Sequence, residues 1–137
     1  MPVATQFSVG LDNRVGTLAK LCGQLKRGKV NIEAIALLID GECGWARFVG
    51  TPESAVKAAL HKGGYTFSTH DILKLEVPHK AGALRGIATR LSKAGININY
   101  LYGSNPEGGT SSTLIISVSD LEGALKLLED YERTMED

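Results

Sequence analysis

The chain is written twice, and this duplication limits its fold more than any other feature. Sliding the sequence by 66 positions places Arg14-Val15-Gly16-Thr17-Leu18 on Lys80-Ala81-Gly82-Ala83-Leu84, and the register continues without a gap. Leu18, Leu21, Cys22 and Leu25 fall on Leu84, Ile87, Ala88 and Leu91, and Val30-Asn31-Ile32 falls on Ile96-Asn97-Ile98. A glycine, an apolar face and a strand entry recurring in one register mark the half-chain as the folding unit. After the second turn the offset is expected to grow to 69, pairing Val56 with Leu125 and Leu60 with Glu129. The loop Asn105-Pro106-Glu107-Gly108-Gly109 is longer than its counterpart Asp40-Gly41-Glu42, and loop tips tolerate insertion. The expected modules are residues 1–70 and 71–137.

Periodicity assigns the elements of each copy. Val3, Phe7, Val9 and Leu11 alternate with Ala4, Gln6, Ser8 and Gly10, as in a half-buried strand. Leu18, Leu21, Cys22 and Leu25 lie on one face of a helix that ends near Gly28. The aliphatic run Val30 to Ile39, the turn Asp40-Gly41 and the run Trp45 to Val49 read as a hairpin. Thr51 is an N-cap candidate ahead of Pro52, and Val56, Ala59 and Leu60 give the second helix its stripe. Tyr65 to Thr69 closes the copy as a short strand. The second copy repeats the order with Ile72 to Val77, a helix from about Gly82 to Ala94, Ile96 to Tyr102, Ser111 to Val118, and a helix from Leu121 to Tyr131 capped by Asp120. Its tail, Thr134-Met135-Glu136-Asp137, is too short and charged for a final strand, so the last strand of module two is short or missing. An edge left open in this way favours self-association. The fold class is α+β: two ferredoxin-like βαββαβ modules in tandem, with antiparallel sheets and helices on one face.

Composition narrows the function. Hydrophobic residues make up 43% and charged residues 22%, enough to build a core, while the formal net charge is zero. A neutral chain lacks the electrostatic footprint that draws proteins to nucleic acid or anionic membrane. No apolar stretch is long enough to span a bilayer and no leader pattern opens the chain, so a cytoplasmic protein is expected. Cys22 and Cys43 fit neither a disulfide framework nor a zinc spacing. His61, His70 and His79 are too scattered to argue a catalytic constellation, and no loop gathers a nucleophile with a base. The chain therefore reads as non-enzymatic, without metal or cofactor. An RNA-binding module shares the element order, and Gly44-Trp45-Ala46-Arg47-Phe48-Val49 faintly echoes its aromatic motif. Trp45 and Phe48 are three apart, however, and a strand sends them to opposite faces.

The strand-to-helix loops Leu11-Asp12-Asn13-Arg14-Val15-Gly16-Thr17-Leu18 and Val77-Pro78-His79-Lys80-Ala81-Gly82-Ala83-Leu84, each followed by an Asn-Ile strand entry, carry a resemblance to the ACT domain. Members of that family are small-molecule regulatory modules attached to enzymes of amino-acid metabolism or occurring as free tandem pairs. Their loop usually reads acidic or Asn, basic, proline, glycine, any residue, leucine. Here Val15 and Ala81 replace the proline, and His79 stands where the second loop is often acidic. The resemblance implies a ligand, an amino acid first of all, held between modules by the first loop of one and the start of the second strand of its neighbour. The implied positions are Asp12, Asn13, Arg14, Val15, Gly16, Thr17 and Leu18 in one loop and His79, Lys80, Ala81, Gly82, Ala83 and Leu84 in the other. Asn31 and Glu33 on one strand, and Asn97, Asn99 and Tyr100 on its counterpart, complete the set. Physics gives the loop the same use: a glycine lets the backbone approach another group, and the free amides of a helix start suit a carboxylate.

Plainer readings stand beside these. Each glycine can serve the turn alone, Asp12 or Asn13 can cap a helix, and Asn97 and Asn99 can be edge polar groups. Tyr100 and Tyr102 share a face that suits packing. In Ala34-Ile35-Ala36-Leu37-Leu38-Ile39 both faces of the strand are apolar, whereas a sheet with helices on one side needs only one. A homodimer is expected on that ground. Two functions remain open: a regulatory protein that binds an amino acid, and a regulatory subunit of an amino-acid metabolic enzyme that binds only protein.

Overall fold

The computed structural model describes residues 3–104 and 111–136; the loop Asn105 to Gly109, where the insertion is expected, lies outside them, as does Asp137. The elements are β1 (Val3–Asp12), α1 (Thr17–Arg27), β2 (Asn31–Asp40), β3 (Cys43–Thr51), α2 (Glu53–Lys62), β4 (Phe67–Pro78), α3 (Ala83–Lys93), β5 (Ile98–Ser104), β6 (Ser111–Val118) and α4 (Leu121–Glu136). The order is βαββαβ followed by αββα, with β4 closing the first copy and opening the second, and no strand follows β6 among the described residues. The closing strand of copy one and the opening strand of copy two, expected as separate elements, are thus a single strand. No glycine or proline lies between Phe67 and Val77 to interrupt the extended chain.

The chain divides into two compact units, Thr5–His70 and Asp71–Asp137, the latter together with Met1–Ala4. In the first, antiparallel strands run in the order β2-β3-β1. Phe7 pairs with Phe48 and Val9 with Ala46, and these four turn to the helices, where Leu21, Leu25, Val56 and Leu60 meet them. The Phe7 and Phe48 rings stack at 5.7 Å, and Phe67 lies 6.0 Å from Phe7. In the second unit the order is β4-β6-β5, and Leu73, Leu75, Leu114 and Ile116 pack on Ile87, Leu91, Ala124 and Leu128. Each fully buried Leu, Ile or Phe contributes roughly 1.5–3 kcal/mol of transfer free energy, which makes these two cores the main source of cohesion.

Burial corrects the late register of the repeat. Val56 and Leu60 are fully buried, and their structural counterparts are Ala124 and Leu128, an offset of 68 (124 − 56) and not the expected 69. The sheets agree, because Phe7 pairs with Phe48 while Leu73 pairs with Ile116. Leu125 is only partly buried and Glu129 is exposed, so helical geometry rejects the longer offset. Two boundaries also move. Pro52, not Thr51, is the residue before α2, and its carbonyl accepts from the amides of Ala55 and Val56. Helix α4 continues beyond Tyr131 to Glu136. Its start is capped as expected, the Gly123 amide donating to Asp120 Oδ1 at 3.0 Å.

The apolar character of β2 has a visible consequence. Ile35, Leu37, Leu38 and Ile39 are all 39–55% exposed, and Trp45, paired with Leu38, is 49% exposed. Phe48 is fully buried, so the two aromatics of β3 do point to opposite faces.

Candidate functional site

Both strand-to-helix corners are built on the same backbone. Gly16 has φ 90° and ψ −6°, and Gly82 has φ 90° and ψ −9°; each is the residue before its helix. The Arg14 amide donates to the Asp12 carbonyl and the Lys80 amide to that of Pro78, both at 2.9 Å. The Lys20 and Gly86 amides donate to the carbonyls of Gly16 and Gly82, both at 3.0 Å. A left-handed residue is costly with a Cβ, so glycine is required at this position. The expected reason, close approach of another group, is not the operative one: a Cβ at either glycine would meet nothing within 4 Å. Both glycines are exposed. Neither helix start has a side-chain cap, which leaves amides of the first turn directed outward as a seat for an anion.

The side chains on this shared backbone differ. In the first corner Arg14 Nη2 pairs with Asp12 Oδ2 at 2.9 Å. The Asn13 amide donates to the Glu42 carbonyl at 2.7 Å and its Nδ2 to the Gly41 carbonyl at 2.9 Å, tying the loop to the β2–β3 turn. Thr17 Oγ1 donates to the Asp12 carbonyl at 2.8 Å. Val15 is fully exposed and Leu18 packs partly into the core. Across the strands beside this corner, a Cβ on Gly44 would collide with the Ile39 side chain.

In the second corner Pro78, His79 and Ala83 replace Asp12, Asn13 and Thr17, so the three bracing side chains are lost. A cleft of about 640 Å³ opens there, lined by Pro78, His79, Lys80, Ala81, Ala83 and Leu84 of the corner and by Val77, Gly103, Ser104, Ser112 and Leu114 of the sheet. This volume is within the range of small-molecule sites. Ser112, 6% exposed, lies 3.4 Å from His79 Nδ1 through its hydroxyl. Leu84 is 47% exposed on the cleft wall, while Ala83 is buried in the core beneath it.

The structure does not bring the strand-entry candidates to this cleft. Asn97 and Asn99 bond to each other, Nδ2 to Oδ1 at 3.1 Å, and the Asn97 amide donates to Ser119 Oγ. They stand at the start of β5, whereas Gly103 and Ser104 reach the cleft from its far end, about 15–20 Å away at strand rise. Tyr100 pairs with Ser117, on the face turned from the helices. Asn31, at the start of β2, is exposed and opposite Thr51. Sequence reasoning missed Ser112, Gly103 and Ser104. A signal was there: Ser112, Leu114 and Ile116 share one face by period two, and a serine at the end of an inward apolar row marks the edge of a core.

Among the described residues no group of three or more His, Cys, Asp or Glu is placed to hold a metal ion, and no helix is long and apolar enough to cross a membrane. Cys22 is half-buried and Cys43 exposed.

Two βαββα units in series, each entering its first helix through the same left-handed glycine, define a tandem ferredoxin-like module. The chain belongs to the ACT domain pair family, which it matches over residues 1–126. No curated protein is significantly similar in sequence. Solved structures share the fold: a protein from Bacteroides thetaiotaomicron aligns with TM-score 0.89 at 22% identity, over 96% of this chain and 90% of that one. The regulatory subunit of aspartate kinase from Thermus thermophilus, in a ligand-free form, aligns with TM-score 0.65 at 17% identity over 95% and 97%. The corresponding subunit from Thermus flavus gives 0.59 at 17% over 95% and 96%.

Proposed function

We propose that this chain is a non-catalytic regulatory protein that binds a small carboxylate-bearing ligand, an amino acid first of all, at its strand-to-helix corners. The observation that carries the reading is the repeated corner itself: an exposed left-handed glycine before an uncapped helix, opening in the second unit onto a cleft of about 640 Å³. Outward amides at a helix start favour a carboxylate. The expectation that neighbouring modules complete the site, with Asn31 or Asn97 and Asn99 on the second wall, stays part of this proposal. So does a homodimer, supported by the exposed apolar residues of β2 and by Trp45.

Ligand binding to the native state raises the melting midpoint, by about 2.7 kcal/mol of added stability at a ligand concentration a hundred times Kd. Melting the full chain against the twenty amino acids at millimolar concentration, with Trp45 fluorescence as a second signal, is expected to single out one or a few of them. If none shifts either signal, the protein-only reading takes its place, and the tight internal bonding of Asp12, Asn13, Arg14 and Thr17 already fits that outcome for the first corner.

A further inference from the structure

The two corners share one backbone but carry different charges, and this difference bears on the ligand. In the first corner the cation is neutralised locally, since Arg14 pairs with Asp12 at 2.9 Å. In the second, Lys80 keeps the cationic position while Pro78 stands in place of the carboxylate. Lys80 makes no ion pair among the described residues. The cleft adds His79, its ring held beside the Ser112 hydroxyl, and no Asp or Glu is among its described lining residues. On the sheet side Gly103, paired with Leu114, stands where the first unit has Leu37, paired with Ala46. The Leu114 side chain takes up part of that space, since a Cβ at Gly103 would lie 2.7 Å from it.

We infer that the second corner alone is the small-molecule site and that it selects a net-anionic carboxylate, such as a short dicarboxylic acid or acidic amino acid, over a neutral zwitterion. This rests on the reading of the corners as ligand sites and goes beyond it in naming the charge class and the number of sites. One carboxylate meets the outward amides at the start of α3, and the second meets Lys80, a charge-assisted contact stronger than a neutral one. An ammonium group finds no described carboxylate in the cleft and is repelled by Lys80. In the first corner Arg14 is already engaged by Asp12 and is not left for a ligand.

Isothermal titration of the full chain with succinate and glutamate, against glycine, leucine and lysine at matched ionic strength, tests this. The expected result is one site per chain, with the dicarboxylates at least about tenfold tighter than the neutral or cationic probes. Lys80→Gln and, separately, His79→Gln are expected to weaken succinate, the lysine variant by about tenfold or more, while Lys26→Gln on the exposed end of α1 leaves it unchanged. Two sites per chain, equal binding of leucine, or succinate binding indifferent to Lys80→Gln would each overturn the inference. Tight binding of neutral amino acids alone removes the charge selection but leaves the regulatory ligand-binding reading intact. Silence from every probe removes both.

Discussion

Glycine in the two helix corners and glycine at the two helix ends answer different demands. Helix α1 closes with the Val30 amide donating to the Leu25 carbonyl and the Lys29 amide to that of Lys26; α3 closes identically with Ile96 on Leu91 and Gly95 on Ser92. The closing residue must be left-handed. Copy two places Gly95 there at φ 73°, whereas copy one uses Lys29 at φ 60°, with its glycine one position earlier. Gly28 is held in that earlier position by packing, because a Cβ there would lie 2.9 Å from the Ala59 Cβ of α2. Lys29→Gly is therefore expected to stabilise the chain by about 1 kcal/mol, since relief of the strained Cβ outweighs the added freedom of the unfolded glycine. Urea titration of the two proteins measures it, and a lower midpoint in the variant counts against this account. The same reasoning shows how far the site was readable in the sequence. Gly16 and Gly82 stood out because a repeated glycine before a helix has few causes, and both corners were found. That Asp12, Asn13 and Thr17 are spent on internal bonds was not readable. The partners of Asn13, Gly41 and Glu42, are distant in sequence and only the paired strands bring them close. The local bonds of Asp12 to Arg14 and of Thr17 to the Asp12 carbonyl depend on the loop conformation and not on the residue pattern.

Periodic patterns carried most of the elements. The i, i+3, i+4, i+7 stripes of α1 and α3 keep Leu21, Leu25, Ile87 and Leu91 inward, although Leu84 at the start of α3 is exposed. Strand β1, expected as half-buried, is covered on both faces, since Gln6 and Ser8 are buried as well as Phe7 and Val9. Boundaries and register depended on tertiary partners and were less readable. Nothing in Tyr65 to Val77 declares where one module stops, so the chain uses one strand for two roles. The late offset of the repeat was misread because Leu125 looks like a core residue, while the true counterpart of Val56 is the smaller Ala124. Helix α4 leans on its cap for a definite start, since Asp120 Oδ1 accepts from the Gly123 amide and the Asp120 carbonyl accepts from that of Ala124. Asp120→Ala removes the side-chain part alone and is expected to cost about 1 kcal/mol. Asp120→Asn, which keeps an acceptor, is expected to recover most of that loss in thermal melts followed by circular dichroism. Equal destabilisation by both variants would point to the charge, acting on the helix dipole, as the main contribution.

A chain of this size cannot cover every apolar surface it makes, and β2 shows where the excess lies. It is the outer strand of its three-stranded set, with Leu38 exposed beside Trp45 on one face and Ile35, Leu37 and Ile39 exposed on the other. An outer strand with free backbone groups and apolar side chains on both faces is a template for pairing unless something covers it. Among the exposed residues of β2 the only charges are at its end, Asp40 and the following turn residue Glu42, so little guards the middle of the strand. A second copy of the same chain is the economical cover, because a two-fold axis lets one patch satisfy itself. Twofold symmetry also doubles the effect of any change at the contact. Losing the burial of one large apolar side chain costs roughly 1.5–3 kcal/mol, so Leu38→Lys, present twice, is expected to weaken association by about a hundredfold or more. Sedimentation velocity at micromolar concentration is the measurement: the parent chain is expected to run as a dimer and Leu38→Lys as a monomer, with Lys57→Gln on exposed α2 as a control that stays dimeric. A parent chain that sediments as a monomer across that range would mean the patch is covered by another protein or left bare. Retention of the dimer by Leu38→Lys would instead move the contact away from the face that Leu38 shares with Trp45.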